Sequence, residues 1–445
     1  MKKILIIGAG RSSPILIKYL LEQSERDSWK ITVADISVEM AMEKINGHPN
    51  GKAIGFDVFD KEGRSKEIEN ADIVVSMLPP LMHIEVARDC IRLKKNLVTA
   101  SYVSDELKKL DADAKKAGVI LLNEMGLDPG LDHLSSMKII DDIRSKGGKL
   151  KSFESFTGGL VAPGYDDNPW NYKFTWNPRN VVMAGQGGVK FIQESRYKYI
   201  PYHKVFSRTE KLSIPEYGIF EGYANRDSLK YREIYGLEDI PTLYRGTLRR
   251  PGFCKAWDMF IQLGATDDSY IMENTEQMTH REFINSFLFY HPGDSVELKV
   301  AYHLRIGIES DELHKLKWLG IFDNTPVGIK DATPAQVLQH ILEEKWELSP
   351  DDKDMIVMLH RMYYELEGNT MELNSHLVVQ GDNSMYTAMA KTVGLPLGIA
   401  TKMILNNTIT SKGVTLPIAK DIYAPALEEL ENHGISFIES LKEVQ

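Results

Sequence analysis

The pattern of the first 35 residues constrains the fold most: an apolar strand, a glycine turn, a helix and a second strand that ends in an acid. Residues 4–7 are apolar at every position, which is typical of a strand buried on both faces of a parallel sheet. Gly8 would allow a tight turn, and Gly10 would let the backbone approach a pyrophosphate. Helical spacing begins at Ser12 or Ser13, so free N–H groups would face the phosphates. The pattern predicts a dinucleotide-binding βαβ unit.

Two positions modify this unit. Ser13 stands where the fingerprint has its third glycine. The second strand, residues 31–34, ends at Asp35, whose carboxylate could accept hydrogen bonds from the adenosine ribose diol. Because an acid there would repel a 2′-phosphate, Asp35 predicts NAD rather than NADP. The alternative is an ordinary α/β turn, since glycines also end strands for purely steric reasons.

Length and charge exclude several classes of protein. A chain of 445 residues, 43% hydrophobic and 26% charged, is expected to form two or three globular domains. A net charge of −10 without basic runs argues against nucleic-acid and membrane partners, so local arginines must bind any anionic substrate. No stretch approaches the roughly 20 apolar residues of a membrane span. Cys90 and Cys254 are the two cysteines, which fits a cytoplasmic protein, and neither has metal-ligand spacing, so no metal is expected.

Alternating short strands and helical spacers continue after the first unit and predict an open parallel sheet. The further predicted strands are residues 53–56, 72–76, 96–100 and 119–123. Ligands bind at the carboxyl ends of such strands, where this chain carries Asp57, His83, Ser101 and Tyr102. Asp57 could accept a hydrogen bond from an adenine amino group. His83 could line the nicotinamide ribose or merely begin a helix.

The character of the chain changes around residues 126–132, which indicate a hinge. Beyond it, residues 151–159 and the strand-like residues 173–177 open a second domain. Residues 229–366 are mainly helical, with Thr333 as an N-cap. The last predicted elements are a strand at 375–380, a helix at 385–405 interrupted by Gly394 and Pro396, and a helix at 422–432.

Several polar residues of this half leave two interpretations open. Asp128 could bind an ammonium group or act as a base, or it could simply form a turn before Pro129. Tyr102 could stack near a nicotinamide or pack as a half-buried aromatic residue. His133 could be an acid, although packing or helix capping is the commoner role of such a residue.

Arginines gather at position 226 and at positions 245, 249 and 250. Guanidinium groups bind carboxylates in two-pronged geometry, so this cluster could capture a substrate with several carboxylates. The alternative is a solvated or interdomain charged face. Spacing alone favours that alternative, because most charge runs are solvated.

The chain resembles the glutamate-forming saccharopine dehydrogenases almost from end to end. The motifs that carry the resemblance are GAGRSSP at 8–14, MLPPLMH at 77–83, TASYVSDELKKLDADAKKAGV at 99–119, LNEMGLDPGLDHL at 122–134, GGLVAPGYDDNPWNYKFTWNPRNV at 158–181, NRDSLKY at 225–231, YRGTLRRPGF at 244–253 and MAKTVGLPLGIA at 389–400. The LNEMGLDPGLDH block together with RGTLR is not a general feature of dinucleotide-binding folds. A substrate with three carboxylates, as in this family, moves the interpretation of the arginine cluster toward binding.

The resemblance implies an α/β fold of three parts. These are a Rossmann domain with a parallel sheet at 1–125, completed by about 396–445, an α+β substrate and dimerisation domain with a mixed sheet at 126–228 and 367–395, and a mainly helical inserted domain at 229–366. By matching position, the residues expected to contact the substrate are Ser101, Tyr102, Asp128, Arg226, Thr247, Leu248 and Arg249. Those expected to bind the dinucleotide are Gly8, Gly10, Arg11, Ser12, Ser13, Asp35, Asp57, Leu78, Pro79, His83, Leu127, Asp128 and Pro129.

The implied reaction is a reversible C–N bond oxidation. L-Saccharopine, NAD and water would give L-glutamate, L-2-aminoadipate 6-semialdehyde and NADH through an imine, with Asp128 or Tyr102 as the catalytic proton acceptor. Fungal members that resemble this chain commonly have a small or basic stretch after strand two and use NADPH, whereas this chain has Asp35, which implies NAD. A homodimer is the default expectation.

Two other functions stay open. A carboxynorspermidine-synthase-like enzyme would act on a polyamine, and its pocket should be richer in acids. A non-catalytic NAD-binding protein would keep Gly8, Gly10 and Asp35 but would not need Arg226, Thr247 and Arg249 around a pocket. The arginine cluster therefore favours the tricarboxylate over both alternatives.

Overall fold

The computed structural model describes residues 1–444. The chain divides into two compact units. Unit 1 holds Met1–Leu150 and the chain from Tyr364 onward, and unit 2 holds Lys151–Tyr363. The three-part division expected from the sequence stays a prediction.

The secondary structure elements follow in chain order. The first part contains β1 Lys2–Ile7, α1 Pro14–Asp27, β2 Trp29–Asp35, α2 Val38–Ile45, β3 Gly51–Gly55, α3 Lys61–Glu69, β4 Ile73–Ser76, α4 His83–Leu93, β5 Asn96–Thr99, α5 Asp105–Lys108, α6 Asp111–Ala117, β6 Ile120–Leu122, α7 Leu131–Ser145 and β7 Lys149–Val161. The middle part contains α8 Pro178–Val182, β8 Val189–Gln193, β9 Arg196–Ile200, β10 Thr209–Ile214, β11 Gly218–Ala224, α9 Tyr231–Ile234 and β12 Thr242–Arg249. The last part contains α10 Phe253–Leu263, α11 His280–Asn285, α12 Val296–Leu304, α13 Asp311–Trp318, α14 Pro334–Trp346, β13 Asp354–Leu366, β14 Asn369–Gln380, α15 Ala388–Leu405, β15 Gly413–Thr415, α16 Lys420–Asn432 and β16 Ile438–Val444.

Unit 1 is built on a parallel seven-stranded sheet in the order β15-β6-β5-β4-β1-β2-β3. The strand β1 lies at the centre, and its residues from Ile4 to Ile7 are at most 1% exposed because helices cover both faces. The strand order reverses between β1 and β4, which is where ligands bind in open parallel sheets. The parallel Rossmann sheet expected from the sequence is confirmed.

Unit 2 contains a mixed sheet in the order β10-β11-β12-β7-β13. The pairs β10–β11 and β11–β12 are antiparallel, whereas β12 runs parallel to β7. The helices α10 to α14 follow β12 and precede β13 in the chain. The Thr333 hydroxyl accepts the backbone N–H of Gln336 in a complete capping box, so the predicted N-cap is confirmed.

Three local expectations differ from the structure. Residues 173–177 form no strand, because the Phe174 backbone donates to the Trp346 carbonyl and the neighbouring rings pack into an aromatic cluster. Pro396 does not interrupt α15, which runs unbroken for 18 residues. Residues 229–366 hold all of β12 and β13 as well as helices.

The helix α15 is long and apolar enough, by length and composition, to cross a membrane, the one such helix in residues 1–444. The window that meets this criterion is 83% buried within the protein. Its Gly394 would place a Cβ 2.6 Å from the Leu16 backbone nitrogen, so only glycine permits this close packing of α15 on α1. The helix therefore belongs to the core of unit 1.

Candidate active site

The glycine turn after β1 is set by its neighbour β4. Gly8 has a φ of +106°, and a Cβ at this position would lie 3.0 Å from the Met77 carbonyl oxygen, so a side chain is excluded on two grounds. Gly10 would meet nothing within 4 Å. The backbone at Gly10 is therefore open to a ligand, which is what a bound pyrophosphate requires.

Ser13 completes the turn in place of the third glycine. Its hydroxyl donates to the Gly10 carbonyl at 2.8 Å, and its side chain is fully buried at the start of α1. Pro14 occupies the first turn of α1, where a missing N–H costs least. Arg11 is exposed and Ser12 is half-buried, so these two side chains remain accessible to a phosphate.

Asp35 is bonded to the backbone on both carboxylate oxygens. Oδ2 accepts the Ala9 N–H at 2.6 Å, and Oδ1 accepts the Ser37 N–H at 3.0 Å. These two bonds tie the glycine turn to the start of α2. The carboxylate thus has a role in the turn itself, which the sequence interpretation did not foresee.

Five of the residues expected to bind the dinucleotide line one cavity of about 190 Å³ in unit 1. They are Gly8, Asp35, Asp57, Leu78 and Pro79. The remaining walls are mostly apolar, from Ile7, Ala34, Ile36, Phe56, Val58, Phe59 and Met82. An apolar slot beside the half-buried carboxylate of Asp35 and the exposed carboxylate of Asp57 suits an adenine ring and its ribose, so the residues present fit the adenosine part of a dinucleotide.

His83 does not line that cavity. Its ring is 1% exposed, with Nδ1 at 2.9 Å from the Ser76 hydroxyl and Nε2 at 2.7 Å from the Ser101 hydroxyl. Burial lowers the pKa of His83 to about 4, so the ring is neutral near pH 7. The expected role of His83 in cofactor binding stays a prediction, while its contact with Ser101 is a finding.

Tyr102 and Asp128 are brought together at the carboxyl ends of β5 and β6. The Tyr102 hydroxyl donates to Asp128 Oδ1 at 3.1 Å, and both side chains are half-buried. Asp128 sits in a tight loop, with Leu127 and Pro129 buried beside it. Gly130 closes this loop with a φ of +147°, where a Cβ would overlap the Gly126 backbone. The loop therefore holds Asp128 in place through backbone contacts.

A buried contact between a glutamate and a histidine supports the same loop. Glu124 and His133 lie 2.8 Å apart, and neither is more than 4% exposed. The second oxygen of Glu124 accepts the Val103 N–H at 3.0 Å, next to Tyr102. His133 therefore packs within the protein, one of the two roles left open by the sequence.

Arg249 on β12 of unit 2 is a buried cation. The side chain is 3% exposed, and one hydrogen bond of its guanidinium goes to the Leu248 carbonyl at 3.0 Å. Its carbon atom lies 5.1 Å from the ring centre of Tyr172 and 5.2 Å from that of Phe253. Among the described residues, no carboxylate pairs with it, and its Nε has no hydrogen-bond partner. A buried charge in this state is prepared for an anion.

The other residues expected on the substrate side differ in exposure. Arg245 stacks at 4.0 Å on the Tyr231 ring and is buried, whereas Arg226 is exposed with a φ of +53°. Thr247 is half-buried, and Leu248 is fully buried against Gly158. Arg245 and Arg249 therefore do not form the solvated face that spacing alone favoured.

The structure adds residues that the sequence did not suggest. Ser76 and Thr99 contact the His83 ring, and Tyr172 and Phe253 flank Arg249. The WNYKFTW stretch at 170–176 was a usable signal for the second set, because such a dense run of aromatic residues indicates an aromatic cluster in the core. Residues 1–444 contain no group of three or more His, Cys, Asp or Glu side chains placed to hold a metal.

Comparison with known proteins identifies the family. Residues 4–122 match the family model "Saccharopine dehydrogenase NADP binding domain", and residues 126–435 match "Saccharopine dehydrogenase C-terminal domain". The saccharopine dehydrogenase [NADP(+), L-glutamate-forming] of Schizosaccharomyces pombe is 33% identical over 99% of each chain. The chain belongs to the saccharopine dehydrogenase family.

A solved structure and a longer relative are also similar to this chain. Apo saccharopine dehydrogenase (L-Glu forming) from Saccharomyces cerevisiae superposes with a TM-score of 0.89 at 30% identity, covering 99% of this chain and 100% of that one. Bovine mitochondrial alpha-aminoadipic semialdehyde synthase is 35% identical over 98% of this chain. The chain spans 47% of the length of that relative.

The NAD preference expected from Asp35 is wrong. The matching family model describes an NADP-binding domain, and the two yeast relatives are named as NADP(+) enzymes. The expectation assumed a free carboxylate facing the ribose. In the structure that carboxylate is bonded to the N–H groups of Ala9 and Ser37, so an acid at this position does not by itself indicate a 2′-hydroxyl.

Proposed function

We propose that the chain is an oxidoreductase that interconverts L-saccharopine with L-glutamate and L-2-aminoadipate 6-semialdehyde, using a nicotinamide dinucleotide. The buried and unpaired guanidinium of Arg249 is the observation that carries the proposal. The names of the yeast relatives make the phosphorylated dinucleotide the first form to test.

The guanidinium of Arg249 favours an anionic substrate for electrostatic reasons. Burying a cation without a partner costs several kcal/mol, about as much as a bound carboxylate can return. The rings of Tyr172 and Phe253 fix the guanidinium plane, and Nε is the free donor. A substrate with three carboxylates offers this group more partners than carboxynorspermidine, whose carboxyl group stands among several cationic amines.

Tyr102 and Asp128 suit the proton chemistry. The secondary amine of saccharopine must lose its proton before hydride can leave the adjacent carbon. The pair is hydrogen-bonded at 3.1 Å, so Asp128 can receive a proton directly or through the Tyr102 hydroxyl. We propose Asp128 as the acceptor and Tyr102 as the group that orients it. Water then attacks the imine carbon to release glutamate.

The dinucleotide would be held by the turn at Gly8 and Gly10 and by the cavity beside Asp57 and Leu78. When bound, it accepts the hydride. The residues of unit 1 bind and orient it through backbone N–H groups at the start of α1 and through apolar walls.

Turnover of the purified protein tests the proposal. Saccharopine with NADP⁺, and separately with NAD⁺, is expected to produce reduced dinucleotide measured by absorbance. Carboxynorspermidine with either dinucleotide is expected to give none, and turnover of it instead would establish the rival enzyme. Dinucleotide binding without any turnover would support the non-catalytic alternative.

We also propose that the protein is a cytoplasmic homodimer. Within residues 1–444, β16 pairs antiparallel with β14 and is the edge strand of that sheet. Its Ile438 and Leu441 are 63% and 56% exposed, which is unusual for an edge strand that meets only water. Both cysteines are buried and unpaired, as in a reducing compartment. Light scattering after gel filtration is expected to give twice the mass of 50.4 kDa.

A further inference from the structure

A chain of hydrogen bonds runs behind the half-buried hydroxyl of Ser101. The ring of His83 bridges Ser76, at the end of β4, to Ser101, after β5, with contacts of 2.9 and 2.7 Å. Thr99 adds a third hydroxyl, 3.3 Å from Nε2 of the same ring. The family resemblance implies a substrate contact for Ser101 but gives no role to Ser76 or Thr99 behind it.

The contacts of the ring assign its hydrogen. A neutral imidazole carries hydrogen on one nitrogen only, and burial keeps the pKa of His83 near 4. The Thr99 oxygen already accepts the Ser101 backbone N–H at 3.3 Å, so its own hydrogen is free to point at Nε2. An Nε2 without hydrogen can accept from both hydroxyls, whereas a protonated one could donate to a single oxygen. The hydrogen therefore belongs on Nδ1, which donates to Ser76.

This assignment fixes what Ser101 offers to a ligand. The hydroxyl of Ser101 donates its hydrogen to His83. The lone pairs of this half-buried oxygen are then available to accept a hydrogen bond from a ligand. We propose that His83 is a positioning residue that holds Ser101 as a hydrogen-bond acceptor for an N–H group of the substrate. The inference rests on the proposed function, because saccharopine supplies the amine N–H groups.

A direct measurement tests the tautomer without any substrate. The full-length protein is labelled with ¹⁵N in its histidines and studied by NMR. The ring signals of His83 are identified by their absence from the spectrum of His83→Gln. We expect a pyrrole-like Nδ1 and a pyridine-like Nε2. A pyrrole-like Nε2 would overturn the inference.

Kinetics of two variants test the role in the reaction. Asparagine at position 83 can reach Ser76 but not Ser101, whereas glutamine can place a carbonyl oxygen near the position of Nε2. His83→Asn is expected to lower kcat/KM for saccharopine about tenfold, mainly through KM, as for loss of one oriented hydrogen bond. His83→Gln is expected to recover most of that loss.

A double variant separates positioning from general packing. If His83 acts through Ser101, adding Ser101→Ala to His83→Asn should cost nothing further, because one interaction is removed twice. Multiplying losses, or an equal loss in His83→Gln, would overturn the inference. A wild type that does not oxidise saccharopine would refute the proposed function and the substrate clause with it, whereas the tautomer is decided by the spectrum alone.

Discussion

The glycine turn of unit 1 and strand β12 of unit 2 satisfy their polar groups in opposite ways. At the turn, the Asp35 carboxylate accepts two backbone N–H groups and the Ser13 hydroxyl donates to Gly10. On β12, Arg249 is buried, but its Nε has no hydrogen-bond partner. Aromatic rings, and no carboxylate, lie beside its guanidinium group within the described residues. The turn is complete without a ligand, whereas β12 is not.

This difference indicates where each region obtains its specificity. A preformed backbone cradle accepts any dinucleotide whose phosphates reach the N–H groups, so it fixes a class of cofactor. A buried guanidinium without a counter-ion rejects neutral and cationic ligands, because only an anion compensates the charge. The choice of substrate should therefore depend on β12 more than on the turn.

Removing the charge at β12 gives the largest expected effect. Arg249→Met should lower kcat/KM for saccharopine about 1,000-fold, since a buried carboxylate without its partner costs about 4 kcal/mol. The unliganded protein should melt about 2–4 °C higher, because an uncompensated charge is gone. Thermal melts with and without saccharopine, beside initial rates, measure both changes.

The matched control is Arg361→Met, the same substitution in the same unit. Arg361 pairs with the carboxylates of Glu154 and Glu210. Its removal leaves the half-buried carboxylate of Glu154 without a cation, so unfolding should become easier by about 3 kcal/mol. If both variants shift the melting temperature in the same direction, Arg249 is not the uncompensated charge described above.

At the turn, two glycines separate folding from binding. Gly8→Ala should destabilise the protein by about 3 kcal/mol, because the alanine must adopt a positive φ against the Met77 carbonyl. Gly10→Ala should leave the melting temperature unchanged, since nothing lies within 4 Å of the new Cβ. It should nevertheless weaken dinucleotide binding about tenfold by blocking the close approach of the phosphates. Equal melting temperatures for the two variants would contradict this distinction.

Acid should destabilise the protein through His83 in unit 1, whereas the charge of Arg249 on β12 should not change. The pKa of His83 is about 4 in the folded protein and near 6.5 when unfolded, so the unfolded chain binds the proton more tightly. The free energy of unfolding should therefore fall as the pH falls from about 6.5 to 4, by up to about 3 kcal/mol. Denaturant melts of the wild type and His83→Gln at both pH values measure the difference. Arg249→Met should respond to acid like the wild type, because a guanidinium stays charged throughout.

Local pattern was sufficient to predict the parallel sheet. A strand buried on both faces must be apolar at successive positions, and residues 4–7 and 73–75 satisfy this without reference to the rest of the chain. The residues 173–177 show the opposite case. Their alternating aromatic residues imitate a strand, yet Phe174 packs on Trp346, which lies far away in the sequence. No local pattern could reveal that contact.

The candidate site divides in the same manner. Gly8, Asp57 and Leu78 could be predicted as neighbours because all follow strands of one parallel sheet, whose carboxyl ends meet at one edge. The same rule places Tyr102 near Asp128, although their hydrogen bond was not predicted from the sequence. The rings that enclose Arg249 come from a loop and a helix start, so only the fold reveals them.

Asp35 led to the wrong cofactor in the sequence interpretation, because its carboxylate stabilises the glycine turn. Asp35→Ala should destabilise the protein by about 2 kcal/mol, because the N–H groups of Ala9 and Ser37 lose their acceptor. Affinities for NADP⁺ and NAD⁺, measured by titration, should then fall by a similar factor, since the variant loosens the turn that binds both. If the Asp35 carboxylate instead formed hydrogen bonds with the ribose, its loss would change one affinity much more than the other. Asp57→Ala is the control, because its Oδ1 accepts only the nearby Phe59 N–H in an exposed loop and should cost less stability.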